Sequence, residues 1–309
     1  MSDGVRIAIL LPTYNGAQYL AQQLDSLLSQ TYSNFIIVIR DDGSSDDTAR
    51  IIERYARDNA NKFHIVESDG DNLGAKSGFS LLIQYVLDNK RELGLEQAYM
   101  MFCDQDDVWK QNKISESFEC MRNQEDWHPD TPILVHTDLE VVDDKLQTIA
   151  PSFFSFQNLR PERNSLWRLL IVNTVTGCTG LINEALARKA VPIPNSAVMH
   201  DWWVALVAAL FGRIVTVPQA TLYYRQHGGN TVGANKYEQR NATERLKGLL
   251  KDTSCEEVAL QVYRQSRALS DVHGASLTVG NKFRLLMLGL LNSSSRRLRT
   301  AALKIFSLL

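Results

Sequence analysis

The sequence predicts an α/β protein built around a mostly parallel sheet. In the first hundred residues, short apolar runs alternate with segments whose apolar residues recur at helical spacing. This β-α-β-α order favours parallel strands, because each helix returns the chain to the same end of the sheet. Polar motifs follow the predicted strands, and ligands of open parallel sheets bind at the carboxyl ends of the strands.

The elements of the first half follow one another closely. The predicted strands cover residues 6–11, 35–39, 64–66 and 98–103, each an apolar run bounded by polar or turn-forming residues. The predicted helices cover residues 17–30, 46–58, 76–87 and 110–121. In the first helix, Leu20, Leu24, Leu27 and Leu28 share one face.

The second half has a different character. Residues 151–170 are predicted to form a loop and an amphipathic helix, and "NTVTGCTGLI" is a turn-rich link to a further helix. The apolar segment "HDWWVALVAALFG" predicts a core helix, since about a dozen residues at roughly 1.5 Å each cannot cross a bilayer. Strands at 214–217 and 221–225 follow. We expect one domain over residues 1–235 and a helical extension over 236–309.

Composition excludes several classes of protein. A net charge of -2, from 33 basic and 35 acidic residues, argues against a nucleic-acid partner. The apolar run at residues 7–11 is too short for a signal peptide or membrane span. The widely spaced cysteines predict reduced cytoplasmic thiols, with neither a zinc motif nor a disulfide framework. These cysteines are Cys103, Cys120, Cys178 and Cys255.

The stretch "FCDQDDVWK" carries three aspartates directly after an apolar run. Two carboxylates about 4 Å apart repel by roughly 1 kcal/mol in water and about 4 kcal/mol at the effective dielectric of a protein surface. Asp104 and Asp106 flank Gln105, so both can reach one side of a turn and bind Mg²⁺ or Mn²⁺ together with a diphosphate. The alternative is a solvated turn in which Asp107 caps the helix at 110–121.

The stretch "RDDGSSDDT" ends the second strand. Asp41 and Asp42 come at the strand end, Gly43 permits a tight turn, and Ser44 or Ser45 can cap the next helix. A carboxylate here can also accept a hydrogen bond from a pyrimidine N3–H or a ribose hydroxyl. A plain strand-turn-helix corner explains the same residues.

Two further motifs carry reactive side chains. Asp201 in "HDWW" is either a helix N-cap or a general base, and Trp202 and Trp203 offer flat faces for a sugar ring. In "YRQHGGN", His227 can bind Mn²⁺ and Arg225 can bind phosphate. A lone histidine is nevertheless more often structural.

Taken in order, these motifs resemble those of the family 2 inverting glycosyltransferases, which have the GT-A fold. The resemblance covers about residues 5–235 and rests on "PTYNG", "DDGSSDDT", "DNLG", "DQDDVW", "NTVTGCTG", "HDWW" and "YRQHGGN". It implies a Rossmann-like, mostly parallel central sheet flanked by helices. Within the family the chain looks most like bacterial rhamnosyltransferases that build O-antigen and cell-wall polysaccharides, because "RDDGSSD", "DQDDVW", "HDWW" and "YRQH" occur together.

The resemblance also implies roles for residues. Asp201 would be the catalytic base, and Asp104, Asp106 and His227 would bind Mg²⁺ or Mn²⁺. The residues expected to bind the donor are Pro12, Thr13, Tyr14, Asn15, Asp41, Asp42, Gly43, Asn72, Lys76, Asp104, Gln105 and Arg225. Those expected near the acceptor are Thr176, Gly177, Cys178, Trp202 and Trp203. His200 departs from the family, which usually has an acidic residue before the base.

The resemblance implies transfer of a sugar, with dTDP-rhamnose as the expected donor and a UDP-sugar as the alternative. The expected acceptor is a polyprenyl-linked oligosaccharide at the cytoplasmic face of the membrane. Two rival interpretations are a non-catalytic nucleotide-sugar-binding protein and a nucleotidyltransferase, although "PTYNGAQYL" lacks the glycine-rich loop of the latter.

The end of the chain is basic, because no acidic residue follows Asp271 while several lysines and arginines remain. These are Lys282, Arg284, Arg296, Arg297, Arg299 and Lys304. Such a segment can lie on an anionic membrane. A helical pair packed on the core, or a homodimer interface, would explain the same pattern.

Overall fold

A computed structural model describes residues 4–228, 254–289 and 295. Nine strands within these residues form one sheet: β1 (Ile7–Thr13), β2 (Phe35–Asp41), β3 (Phe63–Ile65), β4 (Tyr99–Phe102), β5 (Val108–Trp109), β6 (Ile133–Val142), β7 (Thr148–Ala150), β8 (Gly180–Ile182) and β9 (Arg213–Arg225).

The helices among the described residues flank this sheet. They are α1 (Leu20–Leu28), α2 (Thr48–Asp58), α3 (Gly74–Asp88), α4 (Lys113–Trp127), α5 (Phe153–Phe156), α6 (Leu166–Leu169), α7 (Glu184–Ala190), α8 (His200–Phe211), α9 (Ser254–His273) and α10 (Val279–Met287). Short 3₁₀ turns cover Gly177–Thr179 and Gly274–Ser276.

The strands lie in the order β3-β2-β1-β4-β8-β6-β9-β5, with β7 paired to the side of β6. The longer ladders, β1 with β2 and β6 with β9, are parallel. The antiparallel ladders are short, and two of them place β8 between β4 and β6. This mixed but mostly parallel sheet confirms the predicted GT-A architecture.

The central strand β1 shows why the sheet forms where the sequence predicts it. Residues Ile7–Leu11 are fully buried, and successive side chains point to opposite faces of a strand. Ala8 and Leu10 pack with the helix α3 on one face. Ile7, Ile9 and Leu11 pack with the leucines of α1 on the other. A continuous apolar run is therefore the pattern of a strand covered on both sides.

The long strand β6 was not predicted, because polar side chains interrupt its apolar pattern. The structure pairs these side chains in its interior. His136 Nε2 lies 2.9 Å from Thr216 Oγ1, and the hydroxyls of Thr137 and Thr221 are 2.6 Å apart. Asp138 accepts hydrogen bonds from the backbone N–H groups of Leu139 and Phe153. Neighbouring elements supply partners for most of these buried polar atoms, and His136 Nδ1 has none among the described residues.

The two strands predicted at 214–217 and 221–225 are one strand, β9. The register beside β6 passes from Val217 to Ala220, so Pro218 and Gln219 form a bulge. Proline cannot donate to a ladder, which explains the bulge at this position. The prediction of an amphipathic helix within residues 151–170 is wrong, because this region holds only the single turns α5 and α6.

The C-terminal helices pack against the helix α8. Ala259, Val262 and Leu269 of α9 and Leu285 of α10 belong to the same apolar cluster as Trp203. The His273 ring also stacks beside the Trp203 indole, with ring centroids 5.8 Å apart. This contact agrees with the interpretation of a helical pair on the core. The predicted domain boundary at 235/236 and the four most C-terminal basic residues lie outside the described residues.

None of the helices that the structure describes combines the length and apolarity needed to cross a bilayer.

We expect Gly212→Ala to lower the free energy of unfolding by about 1–3 kcal/mol, measured by urea denaturation. A Cβ at Gly212 would lie 1.8 Å from the carbonyl oxygen of Pro132, so the end of α8 or the start of β6 must move. A Cβ at Gly280 meets nothing within 4 Å, so Gly280→Ala is the control and should not destabilise the protein. Equal stability of the Gly212 variant and wild type would contradict the packing at this corner.

Candidate active site

The carboxyl ends of β1, β2 and β4 open into a pocket of about 600 Å³. The start of α8 and the 3₁₀ turn at 177–179 form its opposite side. The predicted site residues that line this pocket are Pro12, Thr13, Tyr14, Asp42, Asn72, Lys76, Asp104, Gln105, Asp106, Thr176, Gly177 and Asp201. Residues far apart in the chain thus meet in one cavity.

Gln105 connects the ends of two neighbouring strands. Its Oε1 accepts a hydrogen bond from the Tyr14 N–H at 2.9 Å, and its Nε2 donates to the Tyr14 carbonyl at 2.9 Å. The close approach requires Gly16, since a Cβ there would lie 2.3 Å from the Gln105 amide oxygen. Gln105 therefore fixes the loop after β1 against the acidic loop after β4.

Asp42 is buried and connects β2 to the loop before α3. One carboxylate oxygen pairs with the Arg40 guanidinium. The other accepts hydrogen bonds from the N–H groups of Leu73 and Gly74 at 3.1 and 3.0 Å. Asp42 lines the pocket, and through these bonds it also holds the loop before α3 in place.

Three predicted donor-binding residues do not line the pocket but form the turns beside it. Asp41 accepts hydrogen bonds from the N–H and hydroxyl of Ser44, and Asn15 Oδ1 accepts from the Ser45 N–H. Gly43 has a φ of +78°, and a Cβ there would lie 2.3 Å from the Gly70 carbonyl oxygen. These three residues shape the loops beside the pocket, and their contact with a donor stays a prediction.

Lys76 and Asn72 line the pocket from the start of α3. The Lys76 ammonium donates to the carbonyls of Asn195 and Ala197 at 2.6 and 2.9 Å. Asn72 Oδ1 accepts from the Gly74 N–H at 2.9 Å. The Lys76 bonds connect this side of the pocket to the segment that leads into α8.

The aspartates after β4 have separate partners. Asp106 Oδ2 lies 2.8 Å from His227 Nε2, so the structure brings this predicted pair together. Asp107 is fully buried and accepts a hydrogen bond from the Arg225 N–H at 3.2 Å. The prediction that Asp107 caps a helix is wrong, since α4 begins only at Lys113, after Asn112.

The acidic loop is electrostatically unfavourable by itself. Burial, followed by the negative charges of Asp106 and Asp201, raises the pKa of Asp104 to about 7. Burial and the carboxylates of Asp106 and Asp104 also raise the pKa of Asp107. A cation near these groups would favour their ionised forms.

Two carboxylates and an imidazole suit Mg²⁺ or Mn²⁺, because these ions prefer oxygen ligands and accept imidazole. Asp104, Asp106 and His227 could therefore hold such an ion at the pocket. Among the described residues, the ligand atoms that lie within 4.8 Å of one another belong to Asp104, Asp107 and Cys178. Asp104 is thus common to this group and to the predicted metal ligands.

A buried lysine lies behind the acidic loop. Lys113 is fully buried, and its ammonium lies 4.7 Å from the centre of the Trp109 ring. Burial lowers the pKa of Lys113 to about 8, and the Cys178, Cys103 and Asp107 side chains oppose this effect. Lys113 therefore supplies positive charge from the interior, opposite to the side that faces the pocket. No sequence pattern predicted this residue.

Arg225 does not line the pocket, although the sequence suggested a phosphate ligand. Its guanidinium donates to the backbone carbonyls of Asp106 and Asp144 at 2.8 and 2.7 Å and to Gln22 Oε1 at 2.5 Å. It also lies 4.6 Å from the centre of the Tyr19 ring. In the structure the planar guanidinium binds protein oxygens and holds the acidic loop in place, and its contact with phosphate stays a prediction.

Three residues predicted near the acceptor are also directed elsewhere. Trp203 is fully buried, and its indole donates to the Ala190 carbonyl at 2.8 Å. The Trp202 indole donates to the Leu169 carbonyl at 2.5 Å, and Cys178 is buried beneath the acidic loop. On a helix packed from several sides, the indoles fill the core instead of presenting faces to a sugar.

Asp201 lies in the first turn of α8 and lines the pocket. The helix N-cap is Met199, so the alternative of a simple cap is not supported. Its carboxylate accepts hydrogen bonds from the Trp202 N–H at 2.6 Å and the Asn173 side-chain amide at 3.3 Å. Burial raises the pKa of Asp201 to about 6, while the N–H groups of Trp202 and Gly177 and the Asn173 amide act in the opposite direction.

Several pocket residues were missed by sequence reasoning. They are Leu73, Gly74, Ala75, Ser77, Phe79, Met199, His200 and Tyr224. Most are adjacent to the motifs "DNLG" and "HDWW", so proximity to a motif was the available signal. Phe79 and His200 could not be paired from sequence, because they lie on different helices.

The sequence and the fold are similar to those of known proteins. The family model "Glycosyl transferase family 2" matches residues 8–187. The chain is 27% identical over 236 residues to the dTDP-rhamnosyl transferase RfbG of Shigella flexneri, covering 73% of this chain and 74% of that one.

Two solved structures share the fold. One is S. aureus TarS 1-349 in complex with UDP-GlcNAc, at a TM-score of 0.54 and 17% identity, over 91% of this chain and 76% of that one. The other is the Pyrobaculum calidifontis mannosyltransferase PcManGT with GDP-Man and Mn²⁺, at a TM-score of 0.52 and 14% identity, over 98% and 87%.

The role of Arg225 can be tested with Arg225→Lys. We expect the free energy of unfolding to fall by about 2–4 kcal/mol in urea denaturation, because an ammonium cannot reach all the oxygens that the guanidinium binds. Arg213→Lys, at the exposed start of the same strand, should be neutral. If Arg225→Lys is as stable as wild type but binds nucleotide more weakly, Arg225 contacts a phosphate of the substrate instead.

Proposed function

The chain belongs to glycosyl transferase family 2, and we propose that it moves a sugar from a nucleoside diphosphate to a hydroxyl of a growing polysaccharide, inverting the anomeric carbon. The observation that carries this proposal is one pocket in which a partly buried carboxylate, Asp201, faces the acidic loop of Asp104 and Asp106. The base for the acceptor hydroxyl and the carboxylates for the donor diphosphate therefore meet in one cavity.

In this proposal the nucleoside lies at the ends of β1 and β2. Pro12, Thr13 and Tyr14 line that end of the pocket, next to Asp42. Their loops are connected by side-chain to backbone hydrogen bonds, such as those of Gln105 and Asp42. A wall fixed in this way can bind a planar base without a large entropy cost on binding.

Asp104, Asp106 and His227 would hold Mg²⁺ or Mn²⁺ beside the diphosphate. Such a cation, when bound, stabilises the negative charge on the leaving nucleoside diphosphate. The raised pKa of Asp104 supports this assignment, because buried like charges favour a bound positive ion. Arg225 keeps the loop in place by donating to the Asp106 carbonyl.

Asp201 would remove the proton from the acceptor hydroxyl, and that oxygen would attack the anomeric carbon in one displacement. A base with a pKa of about 6 is ionised at neutral pH and still accepts a proton readily. The Asn173 amide and the Trp202 N–H orient the carboxylate toward the pocket. The mechanism requires no covalent intermediate on the enzyme.

The donor that we propose is dTDP-rhamnose. Support comes from the Shigella flexneri relative, which is named a dTDP-rhamnosyl transferase and matches about three quarters of this chain. A UDP-sugar is the second candidate, because the structural neighbour TarS binds UDP-GlcNAc. The complete set of acidic residues at the pocket argues against a non-catalytic binding protein.

We further propose a lipid-linked oligosaccharide acceptor and peripheral contact with the cytoplasmic membrane. The charge pattern supports the contact, since every charged residue after Asp271 is basic. On α10, Lys282 and the apolar Leu286 are exposed.

A thermal-shift panel tests the donor and the ion together. We expect dTDP-rhamnose with Mn²⁺ to raise the melting temperature by several degrees, because ligand at 100 times its Kd stabilises by about 2.7 kcal/mol. UDP-GlcNAc should give a smaller shift, and EDTA should remove most of the effect. With Mn²⁺ present, Asp106→Asn should show the same small thermal shift as wild type does in EDTA. A larger shift with UDP-GlcNAc than with dTDP-rhamnose would make the UDP-sugar the better candidate donor. Shifts that persist in EDTA would contradict the proposal that a metal ion is needed for binding.

The role of Asp201 is tested with Asp201→Asn. We expect kcat to fall by about 10²- to 10⁴-fold, because the amide cannot accept the proton, while donor affinity stays within about twofold. In the wild type, kcat should decline below about pH 6, since the base is active only when it is deprotonated. Asp88→Asn, on the exposed side of α3, serves as the control. An Asn variant that retains more than about a tenth of kcat would assign the base to another residue.

A further inference from the structure

We propose that His200 determines which sugar is transferred, by hydrogen-bonding a hydroxyl of the donor sugar through its imidazole ring. The inference rests on the proposed function and assigns a role to the position where the family usually has an acidic residue. His200 is adjacent to Asp201 in the first turn of α8 and lines the same pocket.

The first observation is that both ring nitrogens lack a partner. His200 is 5% exposed, and neither Nδ1 nor Nε2 has a hydrogen-bond partner among the residues that the structure describes. Buried polar atoms in proteins almost always have partners, and leaving one unpaired destabilises the fold. A pocket-lining imidazole with two unpaired nitrogens is therefore suited to a bound ligand.

Aromatic rings hold the imidazole in its position. The Phe79 ring stacks on it with ring centroids 3.9 Å apart, and the Phe102 ring contacts it edge-on at 5.3 Å. These contacts fix the plane of the ring. The nitrogens are thus presented to the ligand without the entropy cost of ordering a mobile side chain.

A glycine leaves space beside the imidazole. A Cβ at Gly177 would lie 2.8 Å from His200 Nε2 and 3.5 Å from the Asp201 Cβ. Both Gly177 and His200 line the pocket. The missing side chain at Gly177 therefore keeps one edge of the imidazole and the neighbouring carboxylate accessible at the same point.

The chemistry of the ring matches a hydroxyl group. Burial lowers the pKa of His200 to about 3, so the ring is neutral at physiological pH. A neutral imidazole has one donor and one acceptor nitrogen, and a sugar hydroxyl can take either role. An acidic residue at this position would add negative charge beside Asp201 and Asp104, and the imidazole avoids that repulsion.

The two aromatic rings that contact His200 favour the donor sugar as its ligand. Phe79 belongs to α3, whose first turn lines the pocket with Ala75, Lys76 and Ser77. Phe102 is the last residue of β4, two positions before Asp104. The ring thus lies between the donor side of the pocket and the acidic loop, where the sugar next to the diphosphate would be bound.

The test compares His200→Phe with wild type in the full-length chain. Phenylalanine keeps the aromatic packing and removes both nitrogens. With Mn²⁺ present, we expect the Kd for dTDP-rhamnose to rise about fivefold, the effect of losing one hydrogen bond, and the Kd for dTDP to change by less than twofold. UDP-GlcNAc and UDP form the second pair of probes. His200→Asn, which retains a donor and an acceptor, should recover part of the loss.

His136→Phe is the control, since His136 is also fully buried but does not line the pocket. It should alter the melting temperature without changing either Kd. A His200→Phe variant that binds dTDP-rhamnose as wild type does, or that loses dTDP affinity equally, overturns the inference. If the wild-type protein binds neither sugar nucleotide, the proposed function itself fails, which is a different result.

Discussion

Repulsion among buried carboxylates is the constraint on which the site depends. Asp104, Asp106 and Asp107 follow one strand, and Asp201 faces them across the pocket. The protein offsets this charge from behind with Lys113 and holds the loop from the side with Arg225. On the pocket side, Asp104 and Asp106 are the carboxylates to which we propose that a cation binds.

The fold concentrates these groups because its parallel strands end at the same edge. The loops that follow β1, β2 and β4 are connected by side chains that bind a neighbouring backbone, notably Gln105 and Asp42. Several predicted ligands, among them Arg225 and Asp41, turned out to stabilise these loops. A residue can therefore be essential to a site while directing its polar atoms at the protein.

The start of α8 combines two different chemistries in adjacent residues. Asp201 is surrounded by hydrogen-bond donors that favour its ionised form, whereas His200 is enclosed by aromatic rings that favour its neutral form. One position is suited to accepting a proton, and the other to recognising a hydroxyl. The apolar remainder of the helix, including Trp203, anchors both in the core.

The sequence by itself determined the strand and helix order of the first half, the pocket motifs and the acidic loop. These features depend on local periodicity and on the chemistry of neighbouring residues. It did not reveal β6, whose polar residues find partners on other elements such as β9 and α5, nor the positions of Lys113, Phe79 and His200. Tertiary structure decided which polar groups face the pocket. The reason is that a buried polar atom finds its hydrogen-bond partner, or lacks one, according to residues that lie far away in the chain.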